Sequence, residues 1–308
     1  MRTAFLKKLF QLAEDNPNVW LLTADVGYSV LEPFAKQFPE RFLNVGVAEA
    51  NMTGIAAGLA MSGKHVYTYS IANFPTLRCL EQIRNDICYH NLDVTIVAVG
   101  AGLSYGQLGY SHHGLEDISA LRGMPNLTIL SPADPGEVAA LLPKRGPTYL
   151  RLGKAGEPDL HNYPVIPGKG VKIRHGSRAT IFATGSILQR ALEIPDVTVI
   201  SMPTLVPIDV ATILQARQSP HIITLEEHGV GGLASIIAEV LAIHGYSGNF
   251  TPIYVRKPPT PLCGTQDYLR DHYDLTVREI KKALNSASSA KTTHVAAITP
   301  NTPASLPQ

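Results

Sequence analysis

Short apolar runs alternate with amphipathic stretches along most of the chain. The runs VWLLTADV, HVYTYSI and VTIVAVG are rich in β-branched residues, which favour buried strands. Apolar residues at helical spacing lie between them, and Pro75 suits a first helical turn because proline has no N–H to leave unpaired. Strands that alternate with helices predict mostly parallel β-sheets with helices on both faces. The predicted strands of the first half cover residues 19–26, 42–46, 65–71, 94–100, 127–133 and 148–152, and the predicted helices cover 3–15, 31–38, 49–62, 75–90 and a stretch from 134.

The alternation stops at the Gly- and Pro-rich segment GKAGEPDLHNYPVIPGKG and then resumes. This composition is typical of a linker, so the sequence predicts two α/β domains. The last residues are rich in Ser, Thr, Ala and Pro, which predicts a disordered tail. We expect a first domain at 1–155, a linker at 156–178, a smaller second domain at 179–287 and the tail at 288–308. The predicted strands of the second domain are 179–185, 197–202, 221–227 and 251–256, with helices from 186 and at 209–217, 231–244 and 276–287.

Composition narrows the class of protein. The chain has 308 residues, of which 45% are hydrophobic, and its 26 basic residues nearly balance 25 acidic ones. This balance argues against a nucleic-acid or anionic-membrane partner. Its 3 cysteines are too few for a disulfide framework. Lys7 and Lys8 interrupt the apolar N-terminus, and no apolar run approaches the length of a membrane helix. We therefore expect a cytoplasmic protein.

Glu49 stands between a predicted strand and a helix rich in Gly and Ala. A carboxylate at a helix N-terminus is stabilised by free N–H groups, which explains many such glutamates without any function. The small residues that follow also let another backbone or a flat ligand come close. The segment is therefore a candidate ligand site or dimer interface.

A second candidate site is the segment GAGLSYGQLGYSHHGLEDIS, which follows the predicted strand at 94–100. Loops at the carboxyl ends of parallel strands form ligand sites in α/β proteins. His112 and His113 are candidate acid–base groups in this loop, and the alternative is a surface loop with capping histidines.

Over residues 1–286 the chain resembles the C-terminal half of a transketolase, a thiamine diphosphate enzyme. Residues 46–52 are similar to the family's G-[IV]-x-E-x-x-M segment, and residues 108–113 are similar to its D-G-P-T-H-[QH] loop. The segment at 226–242 is similar to the family's [EQ]-x-H signature, which is followed by two glycines. A further family pattern matches Asp117, Arg122, Pro125, Asn126, Pro132, Asp134 and Glu137.

The resemblance implies thiamine diphosphate as the cofactor and assigns its contacts. Glu49 would contact N1′ of the aminopyrimidine ring and act as a general acid–base through the cofactor, whose imino tautomer removes the C2 proton. Phe74 and Ile71 match the residues that pack against the ring, and we expect most of the stacking from Phe74. Asp25 is a further predicted cofactor contact.

The resemblance also implies substrate contacts. His112 matches a catalytic histidine that reaches the substrate carbonyl and hydroxyl groups, and His113 is expected beside it. Arg151 matches an arginine that binds a terminal phosphate through two hydrogen bonds. Ser29 and Arg2 fall where the family places further phosphate contacts, although Arg2 could equally be a solvated terminal residue.

Two residues depart from the family pattern. Leu108 replaces an aspartate that contacts a donor hydroxyl, and Gly100 replaces a histidine at the end of the preceding strand. These departures raise the possibility of a donor other than the usual sugar phosphate.

The sequence lacks the G-D-G…N motif with which the family binds Mg²⁺ and the diphosphate. In this family the cofactor lies between the pyrimidine domain of one unit and the pyrophosphate domain of another. The resemblance therefore implies an N-terminal-type partner subunit that holds Mg²⁺, and a homodimer of this chain within an α2β2 assembly.

The predicted function is transfer of a two-carbon ketol unit between a ketose (phosphate) donor and an aldose acceptor. One alternative is the β subunit of a 2-oxo acid dehydrogenase or a decarboxylating enzyme similar to deoxyxylulose phosphate synthase. The other alternative is a non-catalytic paralogue. Glu49 and His112 argue against the non-catalytic alternative, since both would be dispensable without catalysis.

Overall fold

The computed structural model of the protein describes residues 1–289, which form two β-sheets with helices packed against them. The predicted α/β fold class is confirmed, because strand pairing in both sheets is mainly parallel. Of the predicted tail, residues 288 and 289 end the last helix, and 290–308 lie outside the described residues. In the described part, no helix is long and apolar enough to cross a membrane.

The strands are, in chain order, β1 (Val19–Thr23), β2 (Phe42–Asn44), β3 (His65–Ile71), β4 (Val94–Val99), β5 (Thr128–Leu130), β6 (Thr148–Leu152), β7 (Val171–Arg174), β8 (Thr180–Ala183), β9 (Thr198–Ser201), β10 (Thr204–Val206), β11 (His221–Leu225) and β12 (Asn249–Ile253). The first sheet has the order β10-β5-β6-β4-β3-β1-β2, and the second has the order β12-β11-β8-β9-β7. The carboxyl ends of β1 to β4 therefore lie along one edge of the first sheet, where the predicted cofactor and catalytic residues follow.

The α-helices are α1 (Arg2–Asp15), α2 (Glu32–Gln37), α3 (Glu49–Met61), α4 (Leu80–Gln82), α5 (Asp117–Leu121), α6 (Pro135–Leu141), α7 (Leu188–Leu192), α8 (Val210–Gln215), α9 (Leu233–Ile243), α10 (Gln266–His272) and α11 (Val277–Ser289). Local chemistry sets several of their starts. The Asp134 carboxylate accepts the Glu137 N–H at 2.8 Å and caps α6, which also has a proline in its first turn.

Helices cover both faces of the first sheet. Successive residues of β3 point to opposite faces, so neighbouring residues pack against different helices. Val66 packs in the same buried cluster as Met52 of α3. Tyr67 packs instead with Phe5 and Leu9 of α1. Alternation along one strand thus places α3, which begins with Glu49, on a defined face of the sheet.

One buried apolar cluster spans the two sheets. Ile96 of the first sheet belongs to the same buried cluster as Phe182 of the second sheet and Ile237 of α9. In addition, β10 follows β9 in the chain but pairs antiparallel with β5 of the first sheet. The second half of the chain is therefore built into the first, which fixes the loops between them.

Three elements were absent from the prediction. β7 lies within the stretch that we expected to be a linker, and it pairs antiparallel with β9. β10 is only three residues long, and α10 precedes the last predicted helix. Short edge strands leave little trace in a sequence because their pairing depends on tertiary contacts.

The helix predicted at 75–90 differs from the structure. Residues 72–76 form a turn in which the Thr76 hydroxyl donates to the Ala72 carbonyl at 2.7 Å. An irregular helix follows, with a 3₁₀ turn (Leu77–Cys79), α4 and a π-helical segment (Ile83–Cys88). Proline at position 75 therefore precedes the helix by two residues.

His161 fastens the segment between the two sheets to the N-terminus of α6. Its Nε2 lies 3.1 Å from Glu137 Oε1 and 3.8 Å from Asp134 Oδ2, and its ring is buried. The backbone N–H of Leu160 also donates to Asp134 at 2.9 Å. The hydrogen bond to Glu137 raises the pKa of His161 above its usual range, against the effect of burial.

This contact predicts a pH-dependent stability. A raised folded-state pKa contributes stability that is complete below the unfolded pKa of about 6.5 and is lost as pH rises through the folded pKa. We expect His161→Gln to lower the melting temperature at pH 5.5 and to change it much less at pH 9. An equal loss at both pH values would show that the charge of His161 contributes nothing.

Candidate active site

Glu49 is the first residue of α3 and its side chain is buried. The preceding loop passes through Gly46, whose φ of +73° suits glycine. The Glu49 carboxylate accepts one hydrogen bond from Nη1 of Arg78 at 3.0 Å. The N-terminus of a helix also attracts negative charge, so the carboxylate faces two sources of positive potential.

Ile71 is the last residue of β3, and Phe74 lies in the turn that follows, where its N–H donates to the Ile71 carbonyl at 2.8 Å. The Phe74 ring contacts two other candidate residues. The Arg78 guanidinium carbon lies 4.3 Å from its centroid, and the His112 ring meets it edge-on with centroids 5.3 Å apart. Glu49, Arg78, Phe74 and His112 therefore form one continuous cluster.

His112 ends a 3₁₀ turn in the Gly-rich loop, and its Nδ1 lies 3.0 Å from the Ser111 hydroxyl. Its neighbour His113 is buried, and burial lowers the pKa of His113 below its usual range. Asn73 ties this loop to the turn after β3, because its amide nitrogen donates to the carbonyl oxygens of Ser111 and His113. No sequence motif indicates this role of Asn73.

Asp25 follows β1 and has a φ of +56°. Its carboxylate accepts hydrogen bonds from the Tyr28 hydroxyl at 2.8 Å and from the Asn44 amide at 3.2 Å. The Tyr28 bond, then the Asn44 bond, lower the pKa of Asp25. Ser29 has a φ of +60° in the same exposed loop, and its N–H donates to Glu32 at 2.7 Å. Asp25 and Ser29 thus lie in the loop after β1, the strand between β3 and β2 in the sheet.

Gly100 departs from the family pattern for a visible reason. Its φ is +95°, and a Cβ at this position would lie 2.2 Å from the Tyr105 ring. Any larger residue, including the histidine of the family, would therefore displace Tyr105.

Arg2 is half-buried and lies beside the hydroxyl groups of Tyr69 and Tyr105. The Arg2 side chain is thus part of the packing around both tyrosines.

Arg151 is buried and its donors are engaged inside the protein. Nε donates to Asp117 at 2.7 Å, and Nη2 donates to the carbonyl oxygens of Gly114 at 2.6 Å and Glu227 at 3.0 Å. The Tyr149 hydroxyl donates to the same Asp117 oxygen at 2.6 Å. Burial would raise the pKa of Asp117, but the Arg151 charge holds it below its usual range. These contacts favour a structural role for Arg151 over the predicted phosphate contact.

The second-domain signature EEHGVGG also connects the two halves. Glu226 accepts the N–H groups of Leu233 and Ala234, both at 2.7 Å, and so caps α9. The Ile118 N–H donates to His228 Nε2 at 3.1 Å, which joins α5 to the second domain. This motif was recognised in the sequence, but its role required the structure.

Glu227 lies between Glu226 and His228 in the chain, and it holds the Gly-rich loop that carries His112. It accepts the Leu103 N–H at 3.0 Å, and it is paired with Arg270 and with Gln266 of α10. A Cβ at Gly102 would lie 2.5 Å from the Glu227 Cβ, so only glycine fits there. The second domain therefore fixes one end of the candidate catalytic loop.

Two family models match the chain. The model described as "Transketolase, pyrimidine binding domain" matches residues 1–155, and the model described as "Transketolase, C-terminal domain" matches residues 168–280. The chain belongs to the transketolase family.

Within the described residues, no group of three or more His, Cys, Asp or Glu side chains is placed to hold a metal ion.

Individual relatives and one solved structure agree with this assignment. The chain is 34% identical over 266 residues to an apulose-4-phosphate transketolase subunit of Actinobacillus succinogenes, covering 81% of this chain and 86% of the relative. It is 31% identical over 312 residues to a 6-deoxy-6-sulfo-D-fructose transketolase subunit of a Clostridium species, covering 94% and 95%. It superposes on a structure described as "Split gene transketolase, inactive beta4 tetramer" with a TM-score of 0.83, at 34% identity and with coverage of 94% and 98%.

Proposed function

We propose that this chain is the C-terminal subunit of a split, thiamine-diphosphate-dependent transketolase. The enzyme would transfer a two-carbon ketol unit from a ketose (phosphate) to an aldose. The observation that carries the proposal is the buried Glu49 carboxylate at the start of α3, in contact with the Phe74–His112 cluster through Arg78. The relatives named as transketolase subunits favour ketol transfer over the decarboxylating alternatives.

The residues present fit the aminopyrimidine half of the cofactor. A buried carboxylate whose side-chain partner is a half-exposed arginine suits a ring nitrogen such as N1′, and the Phe74 ring lies beside it for stacking. Ile71 and Asp25 lie at neighbouring strand ends, where they would contact the same group. When bound, thiamine diphosphate supplies the acidic carbon that accepts the ketol unit.

Each remaining residue has a proposed task. Glu49 would hold a proton at N1′ and so act as the general acid–base of this subunit. His112, whose ring is oriented by Phe74 and Ser111, would donate to the substrate carbonyl oxygen. Ser29 and Arg2 remain candidates for substrate phosphate. His113 is buried, so we propose that it shapes the loop from within.

The partner subunit would supply the diphosphate site and the Mg²⁺ site. Carboxylate and amide oxygens are the usual protein ligands of Mg²⁺. A second copy of this chain would cover the outer face of α3. On that face Met61 is exposed, and a Cβ at Gly54 or Gly58 would meet no atom within 4 Å. Val47, which precedes the helix, is exposed as well. We therefore propose an α2β2 assembly in which the partner chains complete each site.

The test is reconstitution with the N-terminal-type partner. We expect the complex to transfer a ketol unit from a ketose phosphate or hydroxypyruvate to an aldose, and either chain alone to be inactive. Formation of acetyl or deoxyketose products from a 2-oxo acid would instead support a decarboxylating enzyme. A well-folded complex that binds thiamine diphosphate but processes neither class of donor would contradict the proposal.

A further inference from the structure

Arg78 lies where the planar aminopyrimidine ring of the cofactor is expected to bind. Its Nη1 donates to Glu49 Oε2 at 3.0 Å, and its guanidinium carbon lies 4.3 Å from the centroid of Phe74. The same guanidinium therefore contacts a buried carboxylate with its edge and an aromatic ring with its face. The side chain is half-exposed, with 51% of its surface open to solvent.

An aminopyrimidine ring needs the same two contacts. Its ring nitrogen must meet the Glu49 carboxyl group, and its face must stack on Phe74. Both a guanidinium and a 4-aminopyrimidine present an N–C–N edge on a flat, delocalised frame. The two groups cannot occupy this position together.

We propose that Arg78 occupies the aminopyrimidine site while no cofactor is bound and must leave it before the cofactor binds. The inference rests on the proposed function, because it takes thiamine diphosphate as the ligand that displaces Arg78. In this arrangement the buried Glu49 charge keeps a partner while the site awaits its ligand. Arg78 thereby lowers the affinity of the site for the cofactor.

The strength of the contact suits a reversible occupant. A partly exposed ion pair and one cation–π contact together favour the closed arrangement by about tenfold. Arg78 belongs to the 3₁₀ turn that begins the irregular helix, and half of its side chain already faces solvent. It can therefore swing outward without disturbing the buried residues beside it. A site closed to this degree binds its ligand about tenfold more weakly than an open one.

The experiment uses the assembled complex and titrates thiamine diphosphate with Mg²⁺ by calorimetry. We expect Arg78→Met to bind about tenfold more tightly than the wild type, because methionine offers neither charge nor donors. Arg78→Lys should fall between them, since it keeps the charge but loses the flat face. Arg84→Met is the matched control, because Arg84 is an arginine of the same irregular helix and pairs with Asn85 at 2.7 Å. This control should bind as the wild type does.

Salt provides a second readout that a purely structural arginine would not give. Ion pairs at partly exposed sites weaken with ionic strength, so the affinity gap between the wild type and Arg78→Met should narrow as salt rises. Unchanged or weaker binding by Arg78→Met would overturn the inference and make Arg78 a support for Glu49. A wild-type complex that binds no thiamine diphosphate would overturn the proposed function, and this inference with it.

Discussion

Replacing Glu49 by glutamine in the assembled enzyme is expected to slow exchange of the C2 proton of bound thiamine diphosphate by about 100- to 10,000-fold. An amide has the shape of the carboxyl group, but it cannot hold or release the proton at N1′. The fold should survive, because the side chain that pairs with Glu49 is the half-exposed Arg78, which water can solvate instead. Hydrogen–deuterium exchange at C2, followed by NMR, measures the effect directly.

Glu81→Gln is the matched control for this measurement. Glu81 is exposed on the irregular helix and accepts a hydrogen bond at 2.6 Å from Asn85, which is not one of the candidate site residues. In Glu81→Gln, the C2 proton of the bound cofactor should exchange at the wild-type rate. If Glu49→Gln also exchanges at the wild-type rate, Glu49 is not the acid–base group of this subunit.

Arg151→Met is expected to destabilise the protein by about 3–5 kcal/mol, since removal of one partner leaves the other buried charge unpaired. The stranded group is Asp117, which is fully buried and would keep the Tyr149 hydroxyl and the neighbouring His228. Two carbonyl oxygens, of Gly114 and Glu227, would lose their donor as well. Urea denaturation gives the free energy of unfolding.

Arg122→Met provides the comparison, because Arg122 forms an ion pair with the exposed Glu239. A pair of this kind contributes about 0–1 kcal/mol, so the control should unfold nearly as the wild type does. Wild-type stability of Arg151→Met, together with a selective loss of activity on phosphorylated substrates, would restore the phosphate contact that the sequence predicted. The free energy of unfolding therefore decides between the two roles.

The fold was largely predictable because parallel strands buried on both faces leave long apolar runs. β3 and β6 were predicted with the bounds that the structure shows, 65–71 and 148–152. β10 was not, since three residues that pair antiparallel with a distant strand carry no periodic pattern. Its position depends on the core shared by the two sheets.

The candidate site was predictable where short motifs carried it and not where it depends on tertiary contacts. Glu49, Phe74 and His112 came from such motifs, and the structure brings them together, although their roles remain predictions. Arg78 lacked a motif, and its importance appears only from its contacts with Glu49 and Phe74. Arg151 had a usable signal, because a charge within the wholly buried run TYLRL requires a buried partner.

We expect this chain to hold only half of a cofactor site, and calorimetry can measure whether it does. Thiamine diphosphate and Mg²⁺ are titrated into the chain alone and then into the chain with its N-terminal-type partner. We expect the complex to bind with submicromolar affinity. The chain alone should bind at least about 100-fold more weakly, because the loss of two charge-assisted hydrogen bonds to the diphosphate already accounts for that factor. Submicromolar binding by the chain alone would contradict the split-site account.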